Sequence, residues 1–239
     1  MIERISGLWP HLQSLPVFWL ALTLGVFHLA VLLAKRTRGF PLANPVGLSI
    51  LVLTLLLYFT RTPYTSYFAG GQWIHLLLAP ATVALAVPLS QQKARIRSLL
   101  KPLLISLAAG SLVAIASSVG IGWLLGASPE SLLSLAPKSA TAPVAMGIVE
   151  KLGGIPSLTA AVVILTGITG AVGAPWVLDC LGIREPAVRG FAMGLVSHGI
   201  GTARAFQESE QTGAFAGLGM GLNALMTSVL VPVLYRLLV

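Results

Sequence analysis

The sequence predicts an all-α fold: a polytopic transmembrane helical bundle containing two discontinuous helices, broken or re-entrant. Three observations predict it. Hydrophobic residues make up 56% of the 239 residues and charged residues 9%, with a mean hydropathy of +0.89, more apolar surface than a water-soluble chain of this length can hide. The apolar stretches recur along the whole length, so one integral-membrane domain over 1–239 is expected. Prolines stand inside two of those stretches, Pro80 and Pro88 in one and Pro137 and Pro143 in another, where each removes a backbone donor and frees a carbonyl.

In chain order, the first apolar segment is 14–34. Its run from Leu15 to Ala34 ends in Lys35-Arg36 with no small-residue cleavage site, so it reads as a span and not a signal peptide. The residues before it lack the Arg- and Ser-rich character of a transit sequence, and a bacterial inner membrane is the expected location. Segments 42–60, 73–89, 103–125, 130–152, 158–181, 187–206 and 212–238 follow. Helix is the expected state of each, because backbone groups in hydrocarbon must be satisfied within the segment and the runs are too uniformly apolar for barrel strands.

The formal net charge of +8 does not point to nucleic acid. Lys35, Arg36 and Arg38, then Lys93, Arg95, Arg97 and Lys101, fall in two short loops between apolar runs, the pattern of loops held on the cytoplasmic face beside anionic headgroups. Charge counts favour a segment 130–152 that enters and leaves on one side, with the N-terminus outside and the C-terminus inside. The single Cys180 excludes an internal disulfide framework and is expected to pack. Trp9, Trp19, Trp73, Trp123 and Trp176 fit an aromatic belt. Gly213, Gly217 and Gly221, with Gly219 between them, and Gly190 and Gly194 allow close helix approach, within one subunit or at a homo-oligomer contact.

Interior prolines are tolerated in lipid only where the freed groups face protein or a water-filled cavity, as in secondary transporters whose broken helices meet at mid-membrane. Pro80-Ala81-Thr82-Val83-Ala84 also aligns with Pro137-Lys138-Ser139-Ala140-Thr141, which raises an internal repeat, parallel or inverted.

Longer blocks carry a resemblance. Pro137-Lys138-Ser139-Ala140-Thr141-Ala142-Pro143-Val144-Ala145-Met146, Gly153-Gly154-Ile155-Pro156-Ser157-Leu158-Thr159-Ala160, Ser197-His198-Gly199-Ile200-Gly201-Thr202-Ala203-Arg204-Ala205 and the stretch from Pro80 to Leu89 resemble the signature blocks of the CidB/LrgB family, in order and spacing, over roughly residues 40 to 235. Ala79 departs from the glycine expected before Pro80. The resemblance implies a multi-pass inner-membrane protein working with a small holin-like partner of the LrgA/CidA type. It implies either control of murein hydrolases and lysis or carriage of small monocarboxylates, as in the plastidal glycolate and glycerate carriers of plants. Those carriers are fused to an LrgA-like half that this chain lacks, so a separate partner is implied.

Residue chemistry narrows the candidates. Lys138 lies within an apolar segment, where a cation is expensive unless it faces a cavity or partner, or snorkels to the interface. With Pro137 at a helix start, the Ser139 and Ala140 amides would lie free beside the ammonium as an anion site, and Ser139, Thr141 and Thr82 add hydroxyls. On a continuous helix Ser197, Gly201, Arg204 and Glu208 share about 60° of arc, and His198 and Thr202 form a second stripe. Arg204 either pairs with Glu208 or forks onto a substrate carboxylate. His198 either packs or carries a coupling proton, with Glu208 as a charge partner. Asp179 reads as interfacial, and His11, His28 and His75 lack a second ligand at helical spacing, so no metal or cofactor is expected. Adjacent Ser197 and His198 point about 100° apart on a helix, and no hydrolase motif is present, so no enzyme is expected. Two functions stay open: a secondary carrier of small 2-hydroxy or 2-keto monocarboxylates, and an antiholin-like regulator acting through the small partner.

Overall fold

In the computed structural model, residues 9, 11–37 and 45–238 are described. Arg38, the first residues of the 42–60 segment and Val239 lie outside the described residues. Among the described residues the regular structure is helix, with no strand. Five helical stretches are long and apolar enough to cross a membrane: Pro16–Arg36, Tyr64–Gln91, Leu100–Leu124, Pro156–Cys180 and Glu210–Leu237. The chain is a multi-pass membrane protein. It divides into two compact units, Met1–Ala84 and Leu85–Val239.

The first unit holds α1 (Pro16–Arg36), α2 (Pro45–Phe59), α3 (Tyr64–Leu76) and α4 (Leu78–Ala84). Its packing centres on Trp19, which is 0% exposed. The ring meets Phe18 and Tyr67 edge-on at centroid distances of 5.0 and 5.9 Å, and its Nε1 donates to Gln13 O at 3.0 Å. Gly70 permits the approach: a Cβ there would stand 2.7 Å from Trp19 Cβ. Trp19 is therefore a core residue and not part of an aromatic belt, whereas Trp73, Trp123 and Trp176 are exposed.

The expected break in 73–89 takes a mild form. Leu77 (φ −76°, ψ −10°) ends α3, and Leu85 (φ −62°, ψ −17°) precedes α5 (Ala86–Gln91); both keep right-handed helical angles. Pro80 and Pro88 remove single backbone donors without forcing an extended linker. Pro80–Ala84 therefore lies within α4, whereas residues 136–140 form turns and a bend. The two matched pentads differ in conformation, so that match does not mark a structural repeat.

The second unit continues with α6 (Lys93–Ser98), α7 (Leu100–Leu124), α8 (Pro129–Leu135), α9 (Ala142–Leu152), α10 (Pro156–Cys180), α11 (Pro186–Glu208) and α12 (Glu210–Leu238). Proline sits in the first turn of α8, α9, α10 and α11, where a missing N–H costs no helical bond. Gly153, at φ +86°, closes α9 in the left-handed conformation that glycine adopts freely.

Helices α8 and α9 form a hairpin. Ser134 Oγ accepts from Ile155 N at 2.7 Å and Thr159 Oγ1 donates to Ser134 O at 3.0 Å, although a straight helix would separate residues 134 and 155 by about 31 Å. Ala136 and Ile148 share one core cluster, against which Leu133 and Leu152 pack, while Ala140 and Ala145 share another at the tip.

Helix α11 also reverses, contrary to the continuous helix expected over 187–206. His198 has φ 42° and ψ −131°, joining two helical arms, 186–197 and 199–208. Arg189 Nε lies 2.9 Å from Glu208 Oε2, whereas a straight helix would put these residues about 28 Å apart. Met193 and Ala205 share one core cluster, and Gly201 is confined by Met193 O and Ser197 Cβ.

The hairpins enter from opposite ends. Helix α12 begins beside the second hairpin's base, where a Cβ on Gly190 or Gly194 would overlap Thr212 O or Ala216 O. It then passes both tips at Asn223 and ends beside the first hairpin's base, with Leu234 near Leu133 and Leu152. Gly190, Gly194, Gly213 and Gly219 thus serve packing within this subunit, whereas Gly221 meets open space. Arg95 pairs with Glu185 at 2.8 Å, placing both basic segments of this unit, 93–101 and 184–189, at the end of the second hairpin's base. The C-terminal end of α12 lies at the opposite end, not with those basic groups as charge counting had suggested.

Candidate functional site

The two tips meet halfway along α7, α10 and α12. Asn223 Nδ2 donates to Ser139 O in the first tip and to Leu195 O beside the second, each at 3.0 Å. Its Oδ1 accepts from Ser111 Oγ at 2.7 Å and from Thr227 Oγ1 at 3.4 Å, so both donors and both lone pairs of the amide are engaged. The Leu195 carbonyl is one that the His198 reversal separates from its i+4 amide. Asn223 supplies the missing donor inside a 1% exposed environment.

Helix α10 seats the second tip. His198 Nε2 lies 2.9 Å from Val163 O, and because a carbonyl only accepts, that nitrogen is the donor. Val163 also packs with Ala140 and Ala145 of the first hairpin. Gly167 and Gly170 make the room: a Cβ on Gly167 would stand 2.7 Å from His198 Cε1, and one on Gly170 would overlap Ser197 Oγ. Ser197 Oγ is buried without a hydrogen-bond partner. His198 holds angles rarely adopted by a side-chain-bearing residue, a strain of order 1–3 kcal/mol, which the ring bond and this seat offset.

The structure distributes the sequence candidates unevenly. Ser139, Ser197, His198 and Thr202 are buried at the tips, with Thr202 Oγ1 donating to His198 O at 2.8 Å. Lys138 is half-buried in the first tip, its Nζ 3.4 Å from Ser139 Oγ. Thr141 precedes α9 in extended conformation, without a side-chain cap bond. The anticipated pair of free amides is not formed as expected. Pro137 lies in a turn and not at a helix start, and Ala140 N donates to Pro137 O at 2.9 Å; Pro143 occupies the helix start instead. Thr82 is exposed on α4 of the other unit.

Arg204 does not pair with Glu208. It sits about 9 Å down the returning arm from His198 and donates to Gln207 Oε1 at 3.1 Å. Glu208 is held by Arg189, through Nε at 2.9 Å and Nη2 at 3.2 Å, while Arg189 Nη1 reaches Asp179 Oδ1 at 2.7 Å and Ile183 O at 2.9 Å. This fork ties both arms to the end of α10. Asp179 is half-exposed there, as an interfacial acid should be, and Cys180 is exposed, not packed. Among the described residues no three His, Cys, Asp or Glu side chains gather as a metal site.

Sequence reasoning missed Asn223 and Arg189. An amide inside the apolar final segment was a readable signal for Asn223, since polar side chains in lipid bind helices together. Arg189 acquires its meaning only from the reversal at His198, which brings Glu208 back to it.

Comparison with known proteins gives the geometry its context. Residues 23–237 match the LrgB-like family. A relative of uncharacterized function from Haemophilus influenzae is 33% identical over 91% of this chain and 94% of its own length. The holin-like protein CidB of Staphylococcus epidermidis is 30% identical over 92% and 96%. The antiholin-like protein LrgB of Bacillus cereus is 28% identical over 91% and 94%. No solved structure matches. The chain belongs to the LrgB-like family.

Proposed function

We propose that this LrgB-family protein is a secondary carrier of small 2-hydroxy or 2-keto monocarboxylates in a bacterial inner membrane, not an enzyme. One observation carries the reading: two opposed helical hairpins bring their tips together inside the unit, with the Lys138 ammonium on one tip. The arms 186–197 and 199–208 are about 18 and 15 Å long, half of the roughly 30 Å hydrocarbon thickness, and both reversals would then lie at mid-membrane as discontinuous helices. Lys138 supplies charge to a carboxylate there, and Ser139, Thr141, Ser197 and Thr202 offer hydroxyls for its second oxygen. His198 is the group for a coupling proton. Arg204, two turns below the tip, belongs to the approach to the site, whereas Thr82, on α4 of the other unit, is not assigned to it.

Uptake of labelled pyruvate, lactate, glycolate and glycerate into proteoliposomes, with and without a small holin-like partner, tests the reading. Saturable flux is expected, and Lys138→Met should weaken affinity by about 1.5–3 kcal/mol, the worth of a charge-assisted hydrogen bond. Absence of flux for every substrate, with the partner present, rejects it.

The relatives' names favour a second reading, an antiholin-like regulator of lysis that acts through the holin-like partner. It needs packing surfaces but no charge at the tips. Lysis control that survives Lys138→Met in a protein without flux would establish it.

A further inference from the structure

Asn223 stands where neither hairpin can move alone. Its amide is the only group among the described residues hydrogen-bonded to both tips: one donor goes to Ser139 O, the other to Leu195 O. The acceptor side is held by Ser111 of α7 and by Thr227 one turn along α12. Withdrawal of either tip breaks one of these bonds and leaves an N–H of a 1% exposed amide without its partner. Val163 reinforces the pairing from the other side, giving its carbonyl to His198 and its side chain to Ala140 and Ala145.

We propose that Asn223 is a positioning residue that couples the two hairpins, so that the position of one tip sets the position of the other. The coupling rests on the geometry of the tips; the carrier reading supplies its use, because a site made from two tips has a defined shape only while they stay in register. Asn223 itself is fully engaged and so is not assigned to substrate.

The test uses the full chain in lipid nanodiscs with Cys180→Ser. Spin labels are placed at Gly147→Cys, where a side chain meets open space, and at Val196→Cys, which is 42% exposed; pulsed EPR then reads the distance between hairpins. A second pair, Val196→Cys with the exposed Gln207→Cys, reads the second hairpin internally. With Asn223 present, one narrow distance is expected for each pair. Asn223→Asp removes both donors and sets a carboxylate against two carbonyls, and Asn223→Leu removes the donors without charge. Either variant should shift or split the distance between hairpins while leaving the internal distance unchanged. An unaltered distance between hairpins in a folded variant overturns the proposal, as does an equal change in both pairs, which would mark Asn223 as a general packing residue. Flux measured on the same samples separates the two claims. A shifted distance in a protein whose unaltered form carries nothing refutes the carrier reading alone, and flux with an unshifted distance refutes the coupling alone.

Discussion

The two hairpins of the second unit solve the same geometric problem with different chemistry. The first, 129–152, turns through residues 136–141, with Pro137 inside the turn and Pro143 just after it, carries its cation at the tip as Lys138, and packs through apolar side chains. The second, 186–208, turns on the single residue His198, carries its cation at the base as Arg189, and packs through glycines against the backbone of α12. A tip charge inside the bundle with no carboxylate beside it among the described residues is expensive and suggests use, whereas a base charge with two carboxylates is a structural fastening.

That contrast can be broken by substitution, read as thermal unfolding in detergent. Arg189→Gln should have the largest effect, a loss of about 3 kcal/mol, because Glu208 is left mostly buried and unpaired; Asp179, half-exposed, adds little. Adding Glu208→Gln should recover most of the loss. Gly194→Ala should follow, at about 2–3 kcal/mol, since its Cβ meets the Ala216 carbonyl and not a side chain that can turn away. In the first hairpin, Ser134→Ala removes the acceptor of Ile155 N and should cost about 1–2 kcal/mol. Gly147→Ala, with open space around it, should be neutral or stabilising by about 0.5 kcal/mol. Arg204→Gln should change stability by less than about 0.5 kcal/mol, which would separate it from Arg189.

The same contrast explains how far the sequence could be read. Pro137 and Pro143 announced the first reversal because proline excludes a continuous helix, and prolines also marked the starts of α8, α10 and α11. His198 announced nothing: histidine is an ordinary helix residue, and its positive φ follows from Gly167, Gly170 and Val163 on another helix. Pro80 and Pro88 carried the same local signal as Pro137 yet produced only single-residue irregularities, so a proline fixes a lost bond and leaves the direction of the chain to packing. Of the site, Lys138, Ser139 and His198 were legible as polar groups in apolar segments; the pairing of Arg189 with Glu208 was not, because it depends on a fold-back that places residues nineteen apart side by side.

The opposed entry of the hairpins is the central claim, and it fixes the sides of two exposed positions. Residues 151 and 210 are separated by α10 and the second hairpin; if 186–208 returns to the face it left, they lie on opposite faces of the membrane. In a Cys180→Ser background, Lys151→Cys and Glu210→Cys should therefore react with a membrane-impermeant maleimide from opposite sides of sealed vesicles. Labelling of both from the same side would mean that 186–208 crosses the membrane, and would contradict the account.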